Sequence, residues 1–144
     1  SLGAPMHQAT TKLIVETRGL GLYEFTPALI RWVRSTDISE GLLTLFIRHT
    51  SASLTVQENA DPDVQADLAD AFDRLAPMTT GLYRHSAEGP DDMPAHIKAA
   101  LSDVSLSVPV MDGQPTFGTW QGVYVFEHRN SSQHRTVACH LMGT

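Results

Sequence analysis

Seven histidines are the clearest chemical resource of this 144-residue chain, and three of them fall where ligand-bearing residues are often gathered. His49 closes an apolar run, His85 lies in a polar stretch, and His96 belongs to the first turn of a predicted helix. Neutral imidazole is the commonest protein ligand for transition metals, and ligands are frequently contributed by separate elements. Glu58, Glu88, Asp91 and Asp92 occupy the same segments and supply a fourth ligand or a general base. The expected cofactor is a divalent metal ion, zinc or magnesium. Each histidine also has a purely structural reading: His49 as a satisfied rim or core group, His85 as a solvated loop residue, His96 as a helix-face residue. An anion site is a further alternative, because free N–H groups at a helix N-terminus attract phosphate or sulfate and Arg84, His85 and His96 would complete it. Asp91 and Asp92 oppose that reading unless a cation bridges them to the anion.

A second constellation lies at Gly118-Thr119-Trp120-Gln121-Gly122, followed by an alternating run that ends in Glu127-His128-Arg129. Paired glycines around a tryptophan suggest close backbone approach or a bulge, both common beside active sites. Alternation places Gln121, Val123, Val125, Glu127 and Arg129 on one face, and Trp120, Tyr124, Phe126 and His128 on an aromatic core face. The plain structural reading of Glu127 and Arg129 is a cross-strand ion pair at a sheet edge or subunit contact. The sequence contains no phosphate-loop glycine pattern, no G-x-S-x-G and no H-E-x-x-H, so the usual nucleotide, serine-hydrolase and metalloprotease readings lack support.

The elements that must position these residues follow from periodicity. Gln8–Glu16 alternates as a strand, Arg18-Gly19 turns the chain, and Tyr23–Val33 has Pro27 near its start with Leu29, Ile30 and Val33 at helical spacing. Gly41–His49 and Ala52–Glu58 read as strands, with His49 on the Leu43/Leu45/Ile47 face. Asp61-Pro62 has the form of a helix entry, and Val64, Leu68, Phe72 and Leu75 make an amphipathic stripe whose acidic residues face water. Residues 77–92 form a long irregular link of the kind often tied to function. Asp91 and Asp92 are expected to cap a second helix, about Met93–Leu101, anchored by Ile97 and Leu101. Val104–Val110 alternates with an edge-marking Pro109, Asp112-Gly113 is a turn signal, and Gly118–His128 and Arg135–Met142 supply two more strands. Six strands and two or three helices with antiparallel links indicate an α+β fold, an antiparallel β-sandwich-like core or half-open barrel flanked by helices. Residues 1–144 are expected to form one domain, with 1–6 disordered or extraneous ahead of a start at Met6.

Composition bounds the function. Ten Lys and Arg against 16 Asp and Glu give a net charge of −6, which argues against neutralising nucleic-acid phosphates. No apolar run approaches the roughly 20 residues of a membrane span, and the lone Cys139, on the face of Val137 and Leu141, reads as packing. A reducing cytoplasm is the expected location. The length also excludes a (β/α)8 barrel, which needs more than about 200 residues.

The stretches HTSASLTVQENADPDVQADL (49–68), YRHSAEGPDDMPAHIKAAL (83–101) and GTWQGVYVFEHR (118–129) resemble the signature blocks of the YjbQ-type family, also called secondary thiamine-phosphate synthases. The resemblance runs over nearly the whole chain from about Gln8. It implies a homotrimer of compact α+β subunits with a β-sandwich-like core. It also implies a weak thiamine-phosphate synthase activity, which joins a hydroxymethylpyrimidine diphosphate to a thiazole phosphate with loss of pyrophosphate. The family's polar motif positions fall on His49, Glu58, Asp61, His85, Asp92, His96, Trp120, Gln121, Glu127 and Arg135. The resulting assignment makes Glu58, Asp92, Gln121 and Glu127 catalytic, Trp120, Arg129 and Arg135 cofactor-binding, and His49, His85 and His96 metal ligands. Arg18-Gly19-Leu20-Gly21 departs from the family's Arg-Gly-aromatic-His stretch, so no role carries over there. The partners expected are further copies of the chain and a small phosphorylated substrate or anion, with neither nucleic acid nor membrane. The alternative function is a non-catalytic trimeric protein that binds a phosphorylated metabolite or metal.

Overall fold

The computed structural model describes residues 3–144. Residues 1 and 2 of the expected disordered or extraneous stretch lie outside the described residues, and 3–6 are exposed and without regular structure. The element order is β1 (His7–Arg18), β2 (Gly21–Glu24), α1 (Thr26–Ser35), β3 (Gly41–Ile47), β4 (Ala52–Glu58), α2 (Pro62–Leu75), α3 (Asp92–Leu101), β5 (Ser105–Met111), β6 (Gln114–Pro115), β7 (Gln121–Glu127) and β8 (Ser132–Gly143). Two antiparallel sheets result, one of five strands in the order β1-β8-β3-β5-β6 and one of three in the order β2-β7-β4. The α+β class with antiparallel sheets agrees with the sequence reading.

The core lies between the sheets. Leu43, Leu45 and Ile47 of β3 and Val137, Cys139 and Leu141 of β8 meet Leu54 of β4 and Val123 and Val125 of β7, with Leu29 and Val33 of α1 closing one side. Each fully buried Leu, Ile or Val of this set contributes roughly 1.5–3 kcal/mol relative to exposure. Gly41 faces Gly143 across β3 and β8, where a Cβ on residue 41 would lie 2.2 Å from the Met142 carbonyl oxygen, so the close strand approach requires glycine. The Pro109 carbonyl accepts the Thr116 N–H on the β6 side, and the N and C=O of one extended residue point the same way. Its missing N–H therefore falls toward the two-residue edge strand, as the edge reading of Pro109 requires.

Several elements differ from expectation. The Tyr23–Val33 helix begins only at Thr26, because Gly21–Glu24 pairs with Tyr124–Glu127 as a strand too short to show a period. Asp61 caps α2 as expected, accepting the Asp63 N–H at 2.9 Å. The α2 stripe is half-buried at most, with Phe72 against Phe126 (ring centroids 4.9 Å apart) and Leu75 65% exposed. On α3, Leu101 points outward and Ile97 is half-buried, while Asp92, Pro94, Ala95, Lys98 and Ala99 are the buried residues. Asp91 makes no side-chain cap, because its carboxylate is engaged elsewhere. Both faces of β7 are buried: the Val123/Val125 face in the inter-sheet core, the Tyr124/Phe126 face toward α2. Trp120 precedes the strand in an exposed turn instead of joining that aromatic face.

Candidate functional site

Helix α3 sets the frame of the site, because Asp92 and His96 stand four residues apart on one face. The irregular segment before it folds back through Gly89, whose φ of +102° is left-handed backbone that favours glycine, and delivers His85 to the same place. His85 Nε2 lies 2.6 Å and His96 Nε2 3.1 Å from a single oxygen, Asp92 Oδ2. The three candidate ligand atoms fall within 4.8 Å of one another. Asp92 is buried, whereas the two imidazoles keep access to solvent.

Arg129, just beyond β7, fixes the acidic side of this cluster. Its Nη1 donates to Asp92 Oδ1 at 2.6 Å, its Nε to Asp91 Oδ2 at 2.9 Å, and its Nη2 to the Glu88 carbonyl at 3.0 Å. Burial alone would raise the Asp92 carboxyl, but the His85 hydrogen bond and the charges of Arg129 and His96 hold it below the ordinary carboxylate value. Burial is likewise outweighed at Asp91 by hydrogen bonds from Arg129 and the Asn130 N–H. Both groups are therefore carboxylates at neutral pH.

Hydrogen-bond partners also fix a tautomer. His96 Nδ1 is 3.0 Å from the Thr50 carbonyl oxygen, which can only accept, so Nδ1 carries a proton. In neutral His96 the Nε2 lone pair then faces the Asp92 carboxylate oxygen, two acceptors that need a proton or a cation between them. A carbonyl behind one imidazole nitrogen is the usual device for orienting the other toward a metal. Two imidazoles and a carboxylate suit zinc or a related transition metal better than magnesium, which prefers oxygen ligands.

The other expected site residues are distributed differently. His49 lies two residues past β3, and its Nε2 accepts the Thr136 N–H at 2.8 Å, so that lone pair is spent and the third converging ligand is Asp92 instead. Burial and the charges of Arg135 and Arg48 lower its pKa. Glu127, expected as catalytic, is fully buried and accepts from Thr17 Oγ1 (2.6 Å), Arg135 Nε (2.7 Å) and Nη2, and the N–H groups of His128 and Arg129 (3.1 Å each). Its lone pairs are committed to holding β7, β8 and β1 together, and its ion-pair partner is Arg135 instead of Arg129. Arg135, expected to bind a cofactor, forms an ion pair with Glu127, and Arg129, likewise expected to bind one, clamps Asp91 and Asp92. Glu58, Gln121 and Trp120 sit at the far end of β4 and β7. Six residue steps of about 3.3 Å separate Glu58 from Ala52, so these three lie roughly 20 Å from the histidine end of the sheet. There Glu58 accepts the Asp61 N–H at 3.2 Å, Gln121 accepts the Gly118 N–H at 2.7 Å, and Trp120 is 65% exposed.

Two hydrogen-bond partners escaped the sequence reading, that of His96 Nδ1 and that of His128, whose place on the core face agrees with expectation. The Thr50 carbonyl is a backbone group that no side-chain pattern reveals. His128 is buried, with Nε2 2.9 Å from Ser53 Oγ, which in turn accepts from Ser102 Oγ at 2.7 Å, while His128 Nδ1 has no partner among the described residues. Burial, reinforced by Lys98 and Arg135, pushes its pKa down to about 3. A shallow hollow of about 240 Å3 beside His96 shares His49, Thr50 and Val104 with a larger one of about 630 Å3, bounded by Arg48, Ser51 and Arg135.

Comparison with known proteins supplies the remaining finding. Residues 11–144 match the family described as "UPF0047 protein YjbQ-like". A UPF0047 protein of Synechocystis sp. is 46% identical over 143 residues, covering 99% of this chain and 97% of that protein. The UPF0047 protein YjbQ of Escherichia coli O157:H7 is 40% identical over 138 residues, covering 95% and 98%. Among solved structures, a YbjQ-like protein of unknown function from Sulfolobus solfataricus P2 superposes with a TM-score of 0.88 over 97% of this chain and 100% of its own. At 18% identity, that last likeness speaks for the fold alone.

Proposed function

The chain belongs to the UPF0047 family of YjbQ-like proteins, and on that premise we propose that His85, Asp92 and His96 form a divalent-metal centre serving a small phosphorylated substrate, in a thiamine-phosphate synthase reaction. The observation that carries this reading is the bare His96 Nε2 facing Asp92 Oδ2 with His85 Nε2 on the same oxygen, an arrangement that asks for a cation. A bound divalent ion would neutralise the charge that develops on a leaving pyrophosphate. The chain's own residues orient and hold: Thr50 fixes the His96 ring, Arg129 fixes Asp92, and Gly89 lets the loop present His85. Zinc is the preferred ion on donor chemistry. A homotrimer is part of the proposal, supported by outward apolar side chains on the five-stranded sheet, where Leu42, Phe46, Met111 and Met142 are each 45–60% exposed. A cytoplasmic location is likewise proposed. It is supported by a free, buried Cys139 and by the absence, among the described residues, of a helix long and apolar enough to cross a membrane.

One observation favours a second reading, a binding protein without turnover. Asp92, which contacts both histidines, and Glu127 are each committed to an arginine, which leaves neither free to carry a proton.

Metal analysis after zinc loading, together with an assay for thiamine phosphate from the pyrimidine diphosphate and the thiazole phosphate, tests the proposal. The wild type is expected to hold about one zinc per chain, His85→Ala, Asp92→Asn and His96→Ala to lose both zinc and product, and His49→Ala to keep its zinc. A wild type that takes up no zinc, or variants that retain it, overturns the metal centre. Zinc uptake with no product moves the conclusion to the binding protein. Light scattering on the same samples is expected to give three times the 15.7 kDa chain mass, and a monomer mass removes the trimer.

A further inference from the structure

The hollow of about 630 Å3 next to His49 differs in character from the metal-ligand cluster. Its donors are cationic or neutral. Arg48 is exposed and its side chain forms no hydrogen bond or ion pair among the described residues, so its guanidinium is available. His49 contributes a defined donor: its Nε2 accepts the Thr136 N–H, so the neutral ring must carry its proton on Nδ1, which has no partner among the described residues. Arg135 forms another wall, its position set by Glu127 and by its bonds to Ser51 O (3.2 Å) and Ser51 Oγ (3.0 Å). The lining residues include no carboxylate, in a chain whose net charge is −6.

We infer that this hollow is a binding subsite for a phosphate-class oxyanion, with the Arg48 guanidinium and the His49 Nδ1–H as its donors. Arginine presents paired N–H groups that match two oxygens of such a group, and a fixed neutral imidazole adds a directional hydrogen bond from its Nδ1–H. The neighbouring hollow joins this subsite to His96 through the shared wall of His49, Thr50 and Val104. A ligand bound by its oxyanion at Arg48 would extend along that wall toward the His85/Asp92/His96 cluster. This placement rests on the reading of that cluster as part of the ligand site, whereas the oxyanion subsite itself does not require a metal.

The experiment separates the two. Protein stripped of metal with a chelator is titrated with inorganic phosphate, and with acetate as a carboxylate control, by calorimetry and by NMR of the ring nitrogens of His49. Saturable phosphate binding, much weaker acetate binding, a shift of the protonated Nδ1 signal and a weakening of about tenfold or more in Arg48→Ala are expected, the scale of losing one charge-assisted hydrogen bond. Arg48 is exposed and unpaired, so its replacement should leave folding intact, and Arg84→Ala serves as an arginine control with unchanged phosphate affinity. Equal binding of acetate, unchanged phosphate affinity in Arg48→Ala, an equal loss in Arg84→Ala or no saturable binding overturns the subsite. Zinc uptake by the wild type reports separately on the cluster: phosphate binding without zinc uptake removes the metal centre and leaves the oxyanion subsite standing.

Discussion

Replacing Arg129 with methionine keeps most of the side chain's apolar stem and removes the guanidinium that holds Asp91 and Asp92. Those carboxylates belong to residues only 8% and 3% exposed, and Asp91 has no other cationic partner among the described residues. Removing one member of a buried ion pair costs about 3–5 kcal/mol. The Arg129 side chain is 20% exposed, so about 2–4 kcal/mol is the expectation at pH 7. With an unfolding entropy of roughly 2 cal/mol/K per residue, each kcal/mol moves Tm by about 3 °C, so metal-free R129M should melt roughly 6–12 °C below the wild type. The pH dependence carries the sharper signature. In the wild type both carboxyls lie below their unfolded values, so their stabilising contribution is present above about pH 4 and lost as the pH falls through the folded values. In the variant Asp91 loses the hydrogen bond and charge of Arg129 and burial pushes it up, while Asp92 keeps its bonds to His85 and His96, so protonation of Asp91 relieves the strain as the pH falls. The Tm deficit should therefore be largest at pH 7 and clearly smaller at pH 5. Calorimetric melts of both proteins at the two pH values, at one protein concentration and with chelator present, measure it. A deficit below about 2 °C, or one of equal size at both pH values, would refute the view that Arg129 is the counter-charge of a buried acidic pair.

Two further expectations concern the framework around the site. His128 stays neutral in the fold to about pH 3 but charges in the unfolded chain near pH 6.5, so its contribution is full above 6.5 and lost as the pH falls toward 3, by up to about 1.4 kcal/mol per pH unit. Urea denaturation between pH 6 and 4.5 should show a flatter stability profile for His128→Phe than for the wild type, and parallel profiles would contradict the buried neutral imidazole. At the β3–β8 pair, Gly41→Ala should cost about 1–3 kcal/mol or more, because its Cβ meets backbone that cannot swing aside, and a thermal melt unchanged from the wild type would contradict that close approach.

How far the sequence could be read depended on whether a residue's partners were local. Asp61-Pro62 announces a helix start through contacts two residues away, and the structure repeats it. The alternation of Leu43, Leu45 and Ile47 required a buried strand face, and that face fills the core. Gly21–Glu24 was hidden because four residues carry too little periodicity to compete with the helical spacing that follows. At the site, residue types put His49, His85, His96 and Asp92 among the candidates, but the choice between His49 and Asp92 as third ligand was not legible. It depends on the Thr136 N–H claiming the His49 lone pair across 87 residues of chain.

Glu127 makes the same division from the other side. Composition, alternation and the family blocks established an acidic α+β chain with antiparallel sheets and a histidine-rich polar set, because those properties follow from residue types and short-range spacing. Only the tertiary structure decided which polar residues meet. It buried Glu127 against Arg135 and Thr17, turned Arg129 onto Asp91 and Asp92, and left Arg48 free beside His49. The physical reason is that a charged side chain is defined by its counter-charge and its burial, and both come from strands and helices that are remote in sequence and adjacent only in the fold.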